Sequence, residues 1–312
     1  MALRRILLYL SHERGLRRRA ETSLLARRVA SRFVAGGTLE DALRVCTRIR
    51  GDGITATLDY LGENVTSLDE AAACRDVYCR MLRSMKAAGL EPNVSLKLTQ
   101  FGLDISPEAC EANVAQLAHT AAETGGFVRI DMESSEYTDR TLSLVTRLHA
   151  RFRSCGTVIQ AYLRRSATDV NCLAHERIRV RLCKGAYLEP PAVAFPDKRD
   201  VDRNYLELAR TLLAHGPYPA IATHDPKMIA GVKHFVSAQG IARDRFEFQM
   251  LYGIRRDLQR QLVEDGYRLR LYIPFGEAWY PYFMRRLAER PANLVFLLKN
   301  LAIEGKKQTS GK

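Results

Sequence analysis

From residue 54 onward the sequence alternates short β-branched or apolar runs with longer segments of helical periodicity. The runs occupy residues 54–61, 93–98, 127–132, 157–163, 178–183, 220–224, 246–251 and 269–275. Apolar residues at helical spacing fill 68–88, 108–123, 138–152 and 206–215 between them. Strand–helix alternation means parallel strands joined by crossover helices. Eight such units in roughly 250 residues is the size of a closed (β/α)8 barrel. A doubly wound open sheet is the alternative, but no GxGxxG follows any strand to support a dinucleotide-binding unit.

Polar residues gather near the C-terminal end of each run: Asp59, Lys97, Asp131, Gln160, Arg181 with Lys184, Thr223 with His224, Gln249 and Tyr272. One such residue is usually solvated and structural. A full set predicts a shared face, because a barrel brings its strand ends together where active sites are built. Residues 279–300 read as a final helix, with Phe283, Leu287, Leu294 and Leu298 at helical spacing. Arg285, Arg286 and Glu289 can share a face of it, which in the bland reading is a surface ion pair of small worth.

The 312 residues are enough to bury a sizeable core. No apolar run approaches the roughly 18 residues of a membrane span. The formal charge of +13 admits nucleic acid, an anionic membrane surface, an anionic ligand or merely a solvated basic surface. Part of the excess is local: twelve arginines fall within residues 1–50. The basic residues are otherwise scattered and no nucleic-acid module is present, so nucleic acid is not an expected partner. Cys46, Cys74, Cys79, Cys110, Cys155, Cys172 and Cys183 form no CxxC pair and no zinc spacing with histidine. They read as reduced thiols of a cytoplasmic chain, and no metal is expected.

The strand ends offer four cationic groups (Lys97, Arg181, Lys184, His224) and two carboxylates (Asp59, Asp131). Such a set suits an anionic ligand. No GxSxG nucleophile turn is present. Lys184, Gly185 and Ala186 follow a strand directly, and such a turn lets backbone N–H groups approach a phosphate. On these residues alone a phosphate-binding aldolase or isomerase, with Lys97 as Schiff-base lysine, stays open.

Eight blocks carry a resemblance: LDYLGENV (58–65), VSLKLTQFG (94–102), VRIDMESSEYTD (128–139), GTVIQAYLRR (156–165), RLCKGAY (181–187), IATHD (221–225), FEFQMLYG (246–253) and YIPFGEAWYPYFMRRLAERPAN (272–293). Together, in this order and over residues 54–300, they resemble the proline dehydrogenase family in its monofunctional bacterial form. The resemblance implies a distorted (β/α)8 barrel of TIM type, with a final helix over the C-terminal face. Residues 1–50 would be an N-terminal helical arm, 51–304 the FAD-binding barrel and 305–312 a disordered tail. The implied reaction is oxidation of L-proline to 1-pyrroline-5-carboxylate, the first step of proline degradation to glutamate. A hydride passes to flavin N5 and electrons then go to a quinone.

The resemblance also assigns roles. Arg285 and Arg286 grip the proline carboxylate, where two guanidinium forks suit one carboxylate better than lysine would. Tyr272 packs on the pyrrolidine ring, and Leu182 and Tyr187 help form the pocket. Lys97 and Asp131 stand near substrate and flavin, and Arg181 beside the flavin's reactive edge. Met132, Gln160, Lys184, Gly185, Ala186, Thr223 and His224 contact FAD, with Gln249 and Glu289 as neighbours. Glu63 pairs with Arg285 to close the site over bound substrate. The implied partners are L-proline, a quinone and a separate pyrroline-5-carboxylate dehydrogenase. A quinone-reducing enzyme also gives the basic arm a reason to touch anionic lipid, at the inner face of the membrane.

Overall fold

The computed structural model describes residues 30–62 and 65–289, together with positions 13, 15–16, 20–21, 23 and 26. Eight parallel strands close into one barrel in sequence order. They are β1 (Thr55–Tyr60), β2 (Asn93–Leu96), β3 (Phe127–Ile130), β4 (Cys155–Gln160), β5 (Arg179–Cys183), β6 (Ala220–Ala222), β7 (Glu247–Leu251) and β8 (Leu269–Phe275). The helices described are α1 (Leu39–Gly51), α2 (Leu68–Ala87), α3 (Pro107–Thr124), α4 (Thr138–Phe152), α5 (Ser166–His175), α6 (Lys198–His215), α7 (Pro226–Ala238), α8 (Arg256–Glu264) and α9 (Tyr280–Glu289). Local chemistry starts several of them. Ser67, Ser106 and Asp225 each cap a helix by accepting a backbone N–H, and Pro107 and Pro226 open α3 and α7 where no N–H is missed.

Each strand has two rows of side chains, and the two rows differ in chemistry. The outward row (Leu58, Val94, Leu96, Val128, Ile130, Val180, Leu182, Ile221, Phe248, Met250, Leu271, Ile273) is buried and apolar beneath the helices. The inward row is polar: Thr57, Asp59, Ser95, Arg129, Arg181, Glu247, Gln249, Arg270 and Tyr272. Register holds this row together, with Thr57 beside Tyr272, Ala222 beside Gln249 and Leu251 beside Tyr272. Barrels of this type usually fill their interior with branched apolar side chains. A polar interior is stable only when each charge is paired or hydrogen-bonded. Arg270 accordingly donates to both oxygens of Glu247 at 2.9 and 3.1 Å, to the Ala56 carbonyl at 2.8 Å and to Glu91 at 2.7 Å. Arg129 donates to the carbonyls of Thr157 (2.9 Å) and Arg179 (2.7 Å).

The barrel departs from regularity at its seam. Ala35 N–H bonds the Pro274 carbonyl and Gly276 N–H bonds the Gly36 carbonyl, so the chain enters at the C-terminal rim. Helix α1 then runs down the outside against β1 and β8, burying Ala42, Cys46 and Ile49 in the main core. It takes the position that a helix after β8 would otherwise fill. Helix α9 lies over the C-terminal end instead. Its Tyr282, Phe283, Met284 and Leu287 form a second cluster with Phe33, Val34, Leu61, Ile254 and Trp279.

The segment at residue 32 sits tight against the end of β7. Gly253 has φ +76°, and a Cβ there would overlap the Arg32 carbonyl oxygen. Gly253→Ala is therefore expected to destabilise the fold by more than the ~1–2 kcal/mol of left-handed backbone strain alone. A thermal melt within one degree of the parent would contradict this.

Candidate active site

Strand alternation aims Arg181 of β5 into the barrel, where it joins three other strands. Its Nη1 donates to Asp131 Oδ1 at 2.7 Å, its Nη2 to Ser95 Oγ at 2.8 Å and its Nε to Gln249 Oε1 at 2.5 Å. The guanidinium also lies 5.4 Å from the centre of the Tyr272 ring. The Tyr272 hydroxyl donates to the second oxygen of Asp131 at 3.0 Å. Burial, then the charges of Asp131 and Asp59, push that phenol well above its ordinary value, so it stays a donor. Beside this group, Lys97 Nζ stands 3.8 Å from Asp59, which also accepts from Tyr78 at 3.3 Å. Two cations and two carboxylates thus alternate at the mouth of the barrel, with their positions set by four strands and the segments that extend them.

The next strand ends carry the other polar residues. Gln160 is buried and donates to the Glu133 carbonyl at 2.9 Å. Met132 is buried just past β3. Thr223 Oγ1 accepts from Asp225 N–H at 3.1 Å. His224 Nε2 accepts from Leu251 N–H at 2.9 Å, which leaves Nδ1 as the ring's donor. Gly185 has φ +113°, and a Cβ there would overlap the Tyr162 ring, so only glycine lets the loop after β5 lie this close. Ala186 and Tyr187 are exposed on that loop. Glu189 ties it down by accepting from Ser135 N–H at 2.7 Å and Ser135 Oγ at 2.6 Å.

Lys184 is held by Asp202 at 2.5 Å and Asp225 at 2.8 Å, which joins the loop to α6 and α7. Burial raises both carboxyls, but hydrogen bonds from Lys184, with Lys198 also on Asp202 and the Lys227 N–H on Asp225, override it and hold both below their ordinary value. Folded values below unfolded ones mean stabilisation that is complete above about pH 4 and lost as pH falls through the folded values. The loop at 184–189 is expected to become a protease target below pH 4 before the barrel unfolds. Limited proteolysis with an acid protease checks this, and cleavage appearing first elsewhere would refute it.

The structure thus brings Lys97, Asp131, Arg181, Gln249 and Tyr272 together, with Gln160, Lys184, Thr223 and His224 on the adjoining strand ends. Arg285 and Arg286 stand half-buried on α9, and the Arg286 guanidinium lies 5.0 Å over the Tyr282 ring. Leu182 requires a correction. It is the neighbour of inward-facing Arg181, so it points outward, fully buried among the core side chains, and does not line the pocket. Tyr187 lies on the loop after β5, 39% exposed. Glu63 lies outside the described residues, as do the side chain of Glu289 and residues 305–312. Sequence reasoning missed Ser95, Glu133, Glu189, Asp202, Glu247 and Arg270. Period-two spacing could have found three of them, since Ser95, Glu247 and Arg270 each precede a singled-out residue by two.

The model of the family described as "Proline dehydrogenase" matches residues 42–299. The chain is 42% identical over 299 residues to "Proline dehydrogenase 1" of Bacillus subtilis (strain 168), covering 96% of this chain and 99% of that protein. It is 44% identical over 278 residues to "Proline dehydrogenase" of Deinococcus radiodurans, covering 88% and 90%. Among solved structures, proline utilization A (PutA) from Bdellovibrio bacteriovorus, inactivated by N-propargylglycine, superposes with TM-score 0.79 at 28% identity. That match covers 84% of this chain, which spans only 32% of the longer PutA chain. The chain belongs to the proline dehydrogenase family, the enzymes of the first step in proline degradation.

Proposed function

We propose that this enzyme oxidises L-proline to 1-pyrroline-5-carboxylate with FAD as its bound acceptor, and that a quinone then takes the electrons. The observation that carries this reading is the cluster of Arg181, Asp131, Tyr272 and Lys97 in the barrel mouth of a family member. The donors present fit a long, phosphate-bearing flavin. Gln160, Arg181, Lys184, Thr223 and His224 come from or just after three adjacent strands, and Lys184 has a third N–H beyond its two carboxylates. When bound, FAD would supply a hydride acceptor for proline C5.

The chain's own residues bind, orient and supply charge. Arg285 and Arg286 hold the proline carboxylate by paired hydrogen bonds. Tyr272 forms a wall for the five-membered ring, held upright by its bond to Asp131. Arg181 keeps a fixed positive charge beside the flavin, already oriented by three partners, so little reorganisation is needed during reaction. Glu63 and Arg285 close the site and exclude water. A Glu63→Ala variant with unchanged KM for proline would argue against that gate.

No helix among the described residues is long and apolar enough to cross a membrane. The reading places the basic N-terminal arm against anionic lipid, where a quinone is reached. Sedimentation with anionic vesicles unaffected by deleting residues 1–33 would remove that part alone. A separate pyrroline-5-carboxylate dehydrogenase would consume the product.

The test is the visible spectrum of the purified protein, recorded with L-proline added in the absence of oxygen. Flavin bands that bleach, followed by reduction of a quinone analogue, support the whole reading. Bands that ignore proline move the substrate to another amine. A protein that takes up no FAD removes the cofactor assignment.

A further inference from the structure

Beneath Arg181 lies a second pair of residues, both in the inward row of β7. Gln249 accepts from Arg181 Nε at 2.5 Å through Oε1, and donates through Nε2 to Glu247 Oε1 at 2.5 Å. Glu247 is in turn gripped by Arg270, which reaches Glu91 at the opposite end of the barrel. Gln249, Glu247 and Arg270 are each at most 4% exposed. An amide can sit in either of two flipped orientations, and only one presents its oxygen to a guanidinium N–H. A carboxylate is acceptor-only, so Glu247 admits only the orientation with Nε2 facing it. Arg270 keeps that carboxylate ionised. Were Glu247 neutralised, the flipped amide would set N–H against N–H at Arg181.

We propose that Glu247 is a positioning residue for Arg181, acting through the amide of Gln249. The role rests on the reading that Arg181 stands beside the bound flavin. Glu247 touches neither substrate nor cofactor. It selects the amide orientation that holds Arg181 against Asp131 and Ser95.

Two variants test it because one of them leaves the Glu247–Arg270 pair whole. Glu247→Gln removes the acceptor-only partner, and Gln249→Leu cuts the link while the ion pair stays. Each FAD-loaded variant is measured for kcat and KM with L-proline, and for the midpoint potential of its flavin. In both, kcat is expected to fall about tenfold, as for other supporting partners of a site residue, with KM within about twofold. The flavin potential is expected to shift negative, because the charge that favours the reduced form is less well placed. A loss of stability alone would move neither the potential nor the kcat of the folded fraction.

Arg181→Met separates the two possible failures. If Arg181→Met shifts the potential and Gln249→Leu does not, the positioning role is overturned. If Arg181→Met leaves the potential unchanged, the placement of Arg181 beside the flavin fails, and the proposal falls with it.

Discussion

Replacing Arg270 with leucine is expected to lower the unfolding free energy by about 3–5 kcal/mol, the usual consequence of removing one partner from a buried ion pair. Arg270 is 3% exposed and donates to Glu247, Glu91 and the Ala56 carbonyl. Leucine of similar bulk fills part of the space but leaves the Glu247 charge in the barrel without its cation. In the parent, burial pushes the Glu247 carboxyl up, and Arg270 overrides this to hold it below its ordinary value. Glu247 therefore contributes stability above its unfolded pKa, and this is lost as pH falls through the folded value. In the variant the sign reverses, because burial acts unopposed and raises the folded value. The deficit is then largest at neutral and alkaline pH and shrinks as acid protonates Glu247. Urea unfolding at two pH values, one mildly acid and one mildly alkaline, reads this directly. Equal losses at both would show that packing and not the uncompensated charge is responsible. Adding Glu247→Leu to Arg270→Leu should restore part of the loss, since removing both charges leaves none stranded.

Arg181→Met should cost about 10²–10³-fold in kcat/KM for proline, the scale seen when one preorganised donor to developing charge is removed. Arg181 is the hub of the barrel mouth. It orients Asp131, which in turn orients Tyr272, so its loss disturbs both the charge and the position of the Tyr272 ring. Arg181→Lys is expected to recover little of this, because an ammonium cannot span Asp131, Ser95 and Gln249 with one planar fork. Steady-state reduction of a dye acceptor by proline checks both variants. A loss under tenfold in Arg181→Met would remove Arg181 from the chemistry.

Much of this architecture is legible in the sequence because barrel strands are short apolar runs bounded by helical patterns. Helix α4 and strand β8 fall on the expected residues, and every strand is found in order. The boundaries that moved have local causes. Helix α6 begins at Lys198, well before the expected 206, because its first turns are charged and carry few apolar residues. Strand β4 ends at Gln160 because Ala161 to Leu163 leave the sheet, and Leu163 instead forms a bridge with Ala194.

The site was less legible than the fold, for a different reason. A charge at a strand end signals a function, whereas Glu247 and Arg270 sit inside apolar runs and gain meaning only from each other across 23 positions of sequence. No periodicity reports such pairing. Leu182 failed in the opposite way. The resemblance named it, but alternation on β5 allows Arg181 and Leu182 only opposite faces, and the charge network decides which one is inside.

The place of α1 on the outside of β1 and β8 has a consequence for how the chain acquires its structure. Residues 55–60 pair with residues 270–275, so the closing seam joins two strands separated by most of the sequence. Loop closure of that length carries the largest entropic cost of any pairing in the molecule. Helix α1, made early, buries Ala42, Cys46 and Ile49 against a seam that does not exist until β8 has been made. During synthesis its apolar face must wait on the last strand. The barrel therefore closes late, both halves of its latch being complete only once β8 has followed the other seven strands.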